Sequence, residues 1–266
     1  MKNGALVFLA ALIALGSSWA GFVLAPTLQL GGEKQTIVLN GTDTYPVQRT
    51  GDATLGLQVY RANGCVSCHT EQVRQEGFIC NVTLTDPGKN PAAVSNLVSS
   101  LMLDGLTREE ADSATDKISA AGGKSETRLV ATGGDIDRGW GMRQSVAADY
   151  LYDYPVQLGN LRAGPDLANI GFRHPDAKWQ LLHLYAPKSV NAKSTMPAFR
   201  FLFEVRKVGA VPSADALDLP KEFAPADGYE VVPTDAARQL AAYLMSLRAN
   251  VPLYEAPFTP VTTAKP

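Results

Sequence analysis

Cys65, Cys68 and His69 stand in the order Cys-x-x-Cys-His, inside the stretch Gly64-Cys65-Val66-Ser67-Cys68-His69. Two thiols at this spacing can reach the two vinyl groups on one edge of a porphyrin. The histidine that follows then lies under the iron as its proximal ligand. The pattern is the attachment signature of a c-type haem. The redox chemistry belongs to the haem, and a protein tunes it through axial ligands, burial and hydrogen bonds. Two other uses of Cys-x-x-Cys fit less well. A structural zinc wants four ligands, and Cys80 is the one further cysteine in the chain. A thiol redox pair has no need of the adjacent histidine. One covalently held haem c is therefore expected, and Cys80 reads as a small buried hydrophobe.

The rest of the chain must export, position and enclose that site. Its 266 residues, 45% of them hydrophobic, suffice for one large domain or two small ones with accessory segments. A net charge of −2 and a pI near 5.9 leave no basic footprint for nucleic acid. Near the amino end, the run from Ala5 to Ala25 carries no charge. As a helix it would measure about 31 Å, enough to cross a bilayer core. Ser18-Trp19-Ala20 resembles a signal-peptide cleavage site, but the apolar run continues past it to Ala25, and a signal core is about 7–15 residues long. A retained anchor is the expectation, and Lys2 on the short head places the bulk outside the cytoplasm.

Pro26 to Gly51 reads as an extended linker with one short strand at Thr36-Ile37-Val38-Leu39. Thr54 to Ala62 reads as a helix leading into the haem motif, with Leu55, Val59 and Ala62 at helical spacing. Asn63-Gly64 ends it. Asn81 to Thr85 alternates like a strand, and Pro91 to Leu103 shows a helical stripe at Ala93, Leu97 and Leu101. Thr107 caps a second helix and Glu110 completes a capping box. Gly122-Gly123 stops that helix, and Glu126 to Ala131 reads as another strand. This run from Asn81 to Val130 is similar to the C-terminal domain of the bacterial ribosomal stalk protein. The likeness lies at Leu84-Thr85-Asp86, Leu106 to Ala111 and Ala120-Ala121-Gly122. It argues for a self-contained α+β unit, not for ribosome binding.

Beyond Asp135 come an aromatic run from Tyr150 to Gly159, then Arg162 to Leu167, a helix from Lys178 to Tyr185, and Ser194-Thr195-Met196-Pro197. Val208 to Tyr229 reads as a surface loop. Thr234 caps a last helix, Asp235 to Arg248, with a buried stripe at Leu240, Tyr243, Leu244 and Leu247. Val251 to Pro266 holds four prolines and reads as a tail. Met142 and Met245 are expected to pack in cores, His174 to be exposed in its loop, and His183 to be a hydrogen-bonded structural residue or a rival iron ligand.

These pieces in this order resemble a class I cytochrome c. More closely, the chain resembles the membrane-anchored mono-haem subunit of cbb3-type cytochrome c oxidases. The likeness is carried by Tyr60 with Gly64 to His69, by Tyr152-Asp153-Tyr154-Pro155 and Leu158-Gly159, and by Arg162 with Gly164-Pro165-Asp166-Leu167. It continues through Gly171, Arg173, Trp179, His183-Leu184, Pro187 and Met196-Pro197. The resemblance implies thioethers at Cys65 and Cys68, and His69 and Met196 as axial ligands. It also implies the Pro165 carbonyl on the far nitrogen of His69, and donation to the haem propionates from Arg173 and Trp179. For the last two, a solvated surface charge and an ordinary core tryptophan are the competing readings. Gly56 would let the terminal helix approach, with Tyr60 near Leu240 and Tyr243.

The expected fold is mainly α: a class I cytochrome c-like haem domain with an N-terminal transmembrane helix and a small α+β insertion. The expected divisions are an anchor at 1–26, a linker at 27–51, the cytochrome domain at 52–76 and 135–250, the insertion at 77–134 and a tail at 251–266. The implied function is electron transfer to the catalytic subunit of a cbb3-type terminal oxidase, with that subunit, other membrane cytochrome subunits and a soluble electron donor as partners. The haem domain would face the periplasm from the bacterial inner membrane. A free-standing anchored carrier for another respiratory complex is the first alternative. A haem-based gas sensor or enzyme with an open sixth position is the second.

Overall fold

The computed structural model describes residues 3–252 apart from 33, 39 and 40. Leu39 of the expected strand, Met1 and Lys2 of the head, and the tail from residue 253 onward lie outside the described residues. The chain is mostly helical, 42% helix against 14% strand, as its periodicities predict. Its described residues divide into two compact units, those up to 48 with 146–156, and 49–145 with 157–252.

The first unit carries the apolar helix. Gly4–Trp19 is α-helical, Ala20–Leu24 forms a π turn, and Ala25–Leu30 continues the helix. One helix, Gly4–Gln29, is long and apolar enough to cross a membrane, with a mean hydropathy of 2.1 and no buried face. A helix apolar all round with nothing packed on it suits a lipid environment rather than an aqueous one. The expected strand is shorter than its sequence pattern: only Thr36–Ile37 pairs, antiparallel to Thr44–Tyr45.

The second unit holds two separate hydrophobic clusters. In the larger, the helix Asp52–Ala62 crosses the terminal helix Asp235–Ser246, whose Thr234 cap accepts from the amide of Ala237. The predicted stripe is buried: Leu240, Tyr243, Leu244 and Leu247 join Tyr60 in this core. The two helices meet at Gly56. A Cβ there would lie 1.9 Å from the carbonyl oxygen of Gln239 and 2.7 Å from the Cβ of Tyr243. Two strands that the sequence pattern did not reveal, Phe203–Lys207 and Tyr229–Pro233, pair antiparallel and bracket the expected loop.

The smaller cluster is a strand–helix–helix–strand unit. Gly77–Asp86 pairs antiparallel with Lys124–Thr132 from Gly77↔Thr132 to Asp86↔Lys124, and the helices Pro91–Ser100 and Arg108–Ala120 lie between. Both strands run longer than their alternating cores suggested. The capping box of Thr107 and Glu110 is formed. The first helix is rotated from its expected face: Val94, Val98 and Leu101 pack inward, and Ala93 is exposed. Ala93, Leu97 and Leu101 stand at i, i+4 and i+8, and Val94, Val98 and Leu101 at i, i+4 and i+7; both spacings are helical, and the valine stripe buries more apolar surface. Cys80 is buried in this cluster, as expected.

Gly56→Ala should destabilise the second unit by roughly 1–3 kcal/mol at the least, because two packed helix backbones must separate. Urea unfolding of the purified protein measures it.

Candidate haem site

The motif sits on a helical exit. Asp52–Ala62 ends at Asn63, Gly64 turns left-handed with φ +66°, and Cys65–Ser67 forms a single 3-10 turn. The amide of His69 then donates to the carbonyl of Cys65 at 3.0 Å. Cys65 is half-buried, Cys68 is exposed, and neither is in a disulfide. Burial pushes the Cys65 thiol up to about 11, which is contrary to the low value a redox or metal thiolate needs. Among the described residues, no three His, Cys, Asp or Glu side chains converge as a metal-holding group. A four-ligand zinc site thus finds no third partner beside Cys65 and Cys68.

His69 faces the loop that carries Gly164 and Pro165. Its Nδ1 lies 2.7 Å from the Pro165 carbonyl oxygen. A carbonyl only accepts, so Nδ1 carries the proton and Nε2 is the bare nitrogen. Burial lowers the affinity of the ring for a second proton, and the Pro165 contact partly opposes this. The loop is drawn in further by the amide of Gly164, which donates to the Cys68 carbonyl at 2.9 Å. A Cβ at Gly164 would stand 2.2 Å from Cε1 of His69, so only glycine lets this loop lie against the ring.

Behind the motif is a buried ionic cluster. Arg162 donates to both oxygens of Asp135 at 2.8 Å each, to Thr70 Oγ1 at 2.8 Å and to the Gln72 carbonyl at 2.6 Å. Its Nη2 also reaches Asp166 Oδ2 at 3.3 Å. Thr70 Oγ1 donates in turn to Asp166 Oδ2 at 2.5 Å, and the amide of Gln72 donates to the same oxygen. Asp135 accepts from the amide of Arg74 as well. Asp166 is fully buried and Asp135 nearly so. Arg162 and Asp166 belong to the family likeness, yet no role follows from their spacing. Asp135 has no sequence signal at all, because its partner is 27 positions away.

Glu71 is a further buried carboxylate, and the hydroxyl of Tyr243 donates to it at 2.9–3.0 Å. The rings of Tyr60 and Tyr243 are 5.2 Å apart, as the expected packing of that pair requires. Burial, with Glu71 nearby, raises both phenols, so both stay protonated.

The remaining predicted residues gather on the same core. Cys65, Val66, Trp179 and Met196 all pack against the larger hydrophobic cluster. Met196 is half-buried, and its amide donates to Ser194 Oγ at 3.3 Å. Arg173 is half-buried rather than a solvated charge, and its Nη2 donates to the Asp166 carbonyl at 2.5 Å. Trp179 stands between two imidazoles. His174 stacks on it at 3.7 Å and His183 at 5.0 Å, with nearly parallel planes. His174 is therefore not the exposed loop residue expected, because the stack draws it in. Nor is His183 a hydrogen-bonded histidine: its Nδ1 is buried without a partner. Met142 is exposed, contrary to expectation, while Met245 is half-buried on the terminal helix.

Residues 135–219 match a known protein family, described as the mono-heme subunit of cytochrome C oxidase, FixO. This span is similar to the mono-heme subunit of a cytochrome C oxidase. No curated protein matches the chain. The matched span contains Pro165, Arg173, Trp179 and Met196, and the Cys-x-x-Cys-His motif precedes it. The family is the mono-haem subunit of cbb3-type oxidase, so the function is electron transfer and the free-standing carrier and gas-binding alternatives are not favoured. The matched family is a haem-bearing subunit of an oxidase complex, which supports a haem c and implies a catalytic subunit as partner. The apolar helix agrees with a single-pass anchor.

Replacing Arg162 with leucine would leave Asp135 and Asp166 buried without their counter-charge. A cost of about 3–5 kcal/mol is expected in urea unfolding, since breaking one side of a buried ion pair costs that much.

Proposed function

We propose that this chain holds one covalent haem c, through thioethers at Cys65 and Cys68 and axial ligands His69 and Met196, and passes electrons to the catalytic subunit of a cbb3-type oxidase. The observation that carries the reading is the contact between His69 Nδ1 and the Pro165 carbonyl. It fixes the ring in one tautomer and presents Nε2, beside two free thiols, as a ligand. The residues present fit the group in a second way. Buried nitrogens of Arg173 and His183 have no hydrogen-bond partner among the described residues, and a haem carries carboxylates.

When bound, the haem supplies a one-electron couple whose potential rises with Met/His ligation relative to harder ligands. The chain's own part is to hold that couple still. Pro165 keeps His69 from turning, and Gly164 lets the loop close on it. Arg162 ties the segment after His69 to the loop that carries Pro165, so the two halves of the site move together. Met196 sits before proline, which restricts its backbone to extended conformations and stiffens the ligand loop. A site that reorganises little between oxidation states suits a carrier. The haem domain would lie on the periplasmic side of the inner membrane, and it would receive electrons from a soluble donor.

The test of the ligand set is the far-red sulfur-to-iron charge-transfer band of the oxidised protein. Wild type should show it and Met196→Ala should lose it. A wild type without the band, or a variant that keeps it, would sink the assignment.

Residues 77–134 are proposed as a separable insertion that contacts a neighbouring subunit. Gly77 and Thr132 are paired across the two strands, so a short Gly/Ser linker can join the ends without strain. The shortened protein should keep the haem spectrum of the full chain and lose co-purification with its oxidase partners. Loss of haem incorporation would count against separability.

A further inference from the structure

Among the described residues, two buried nitrogens remain without a hydrogen-bond partner. One is Nδ1 of His183 and the other is Nε of Arg173. Arg173 acts electrostatically on the His69 ring, and His69 acts on that of His183, which places both in its neighbourhood. Arg173 cannot turn freely to find another partner, because its Nη2 is held by the Asp166 carbonyl. His183 is held as well: its ring lies flat against Trp179, which lies flat against His174. Burial, with His69 and His174 nearby, pushes the His183 imidazole down to about 4, so it is neutral at neutral pH and keeps one N–H.

A buried donor without an acceptor costs about 1–3 kcal/mol, and folded proteins leave few such groups unexplained. A fixed Arg donor and a fixed ring nitrogen, both buried and unpartnered among the described residues, point to a polar group that comes from outside the polypeptide. An Arg Nε–H is an obligate donor, and its preferred partner is a carboxylate. A haem brings two carboxylates, its propionates. Resting on the haem reading above, we propose that His183 holds its proton on Nδ1 and, together with Arg173 Nε–H, donates a hydrogen bond to a haem propionate. His183 is then a positioning residue and neither an iron ligand nor a packing residue, and Trp179 orients it by stacking. A donor on a propionate disperses negative charge near the iron. Its loss should stabilise the oxidised state and lower the reduction potential.

The experiment uses the full-length haem protein in detergent, with His183→Phe and His183→Asn. Phenylalanine keeps the flat ring for the stack and removes the donor. The Asn amide nitrogen can stand where Nδ1 stood. Phe should lower the reduction potential and shift the propionate bending band in the resonance Raman spectrum. Asn should return both toward wild type, and the charge-transfer band should survive in each. If Phe changes neither readout, or Phe and Asn change them equally, His183 only packs and the proposal is overturned. If Phe abolishes or alters the charge-transfer band, His183 ligates the iron, which also overturns it. A wild type without covalent haem would overturn the underlying site reading, and is recognised separately by its missing haem spectrum. Should the Phe variant fail to load haem, Arg173→Lys removes the neighbouring donor and keeps the charge. A shifted propionate band there supports the shared carboxylate site, and an unshifted one overturns it.

Discussion

A single buried guanidinium decides how this site is assembled. Arg162 draws together three stretches that are far apart in sequence: Thr70 to Arg74 behind the motif, Asp135, and the loop to Asp166. One cation faces two enclosed carboxylates, and backbone amides of Gln72, Arg74 and Ala168 take up the remaining acceptor capacity. Bidentate pairing of Arg with Asp135 fixes angle as well as distance. Such a cluster is not automatically stabilising, since desolvation offsets much of its Coulomb energy. Its value here is geometric. With Thr70 clamped to Asp166 at 2.5 Å, the residue next to His69 and the residue next to Pro165 cannot drift apart.

The His69–Pro165 contact follows from that clamp. An imidazole needs its second nitrogen held if the first is to be a good, unmoving ligand. The chain achieves this with a backbone carbonyl rather than a carboxylate, so no charge is added at the ligand itself. Glycine at position 164 is the condition for it, since any side chain there would occupy the space of the ring. Close approach recurs where Gly56 lets the helix before the motif press on the terminal helix. That crossing buries Tyr60 and Tyr243 together, with Glu71 receiving the Tyr243 hydroxyl.

The strand–helix–helix–strand unit shares none of this hydrophobic core; its own cluster centres on Val94, Ile118 and the inner face of two long strands. Gly77 and Thr132, at its two ends, are paired neighbours. A chain that leaves a fold and returns to the same place asks little of its host. This is a physical reason why such a unit can be accommodated between the motif and the loop that meets it.

Much of this was legible in the sequence because it is local. Cys65, Cys68 and His69 are set by a spacing that the porphyrin edge imposes. The apolar run from Ala5 to Ala25, the Thr107 capping box and the terminal stripe at Leu240, Tyr243, Leu244 and Leu247 each rest on a single element's own period. Where two stripes were equally periodic, as at Ala93/Leu97 and Val94/Val98, only packing chose between them. The strands at Phe203–Lys207 and Tyr229–Pro233 were hidden because their pairing closes over a long loop. The roles of Arg162, Asp135 and Asp166 were hidden for the same reason, as was the stack that turns His174 inward and leaves His183 Nδ1 without a partner. Spacing along a chain can specify what a covalent cofactor will grip. Which distant side chains surround the grip is settled only when burial forces every charge and donor to find an acceptor.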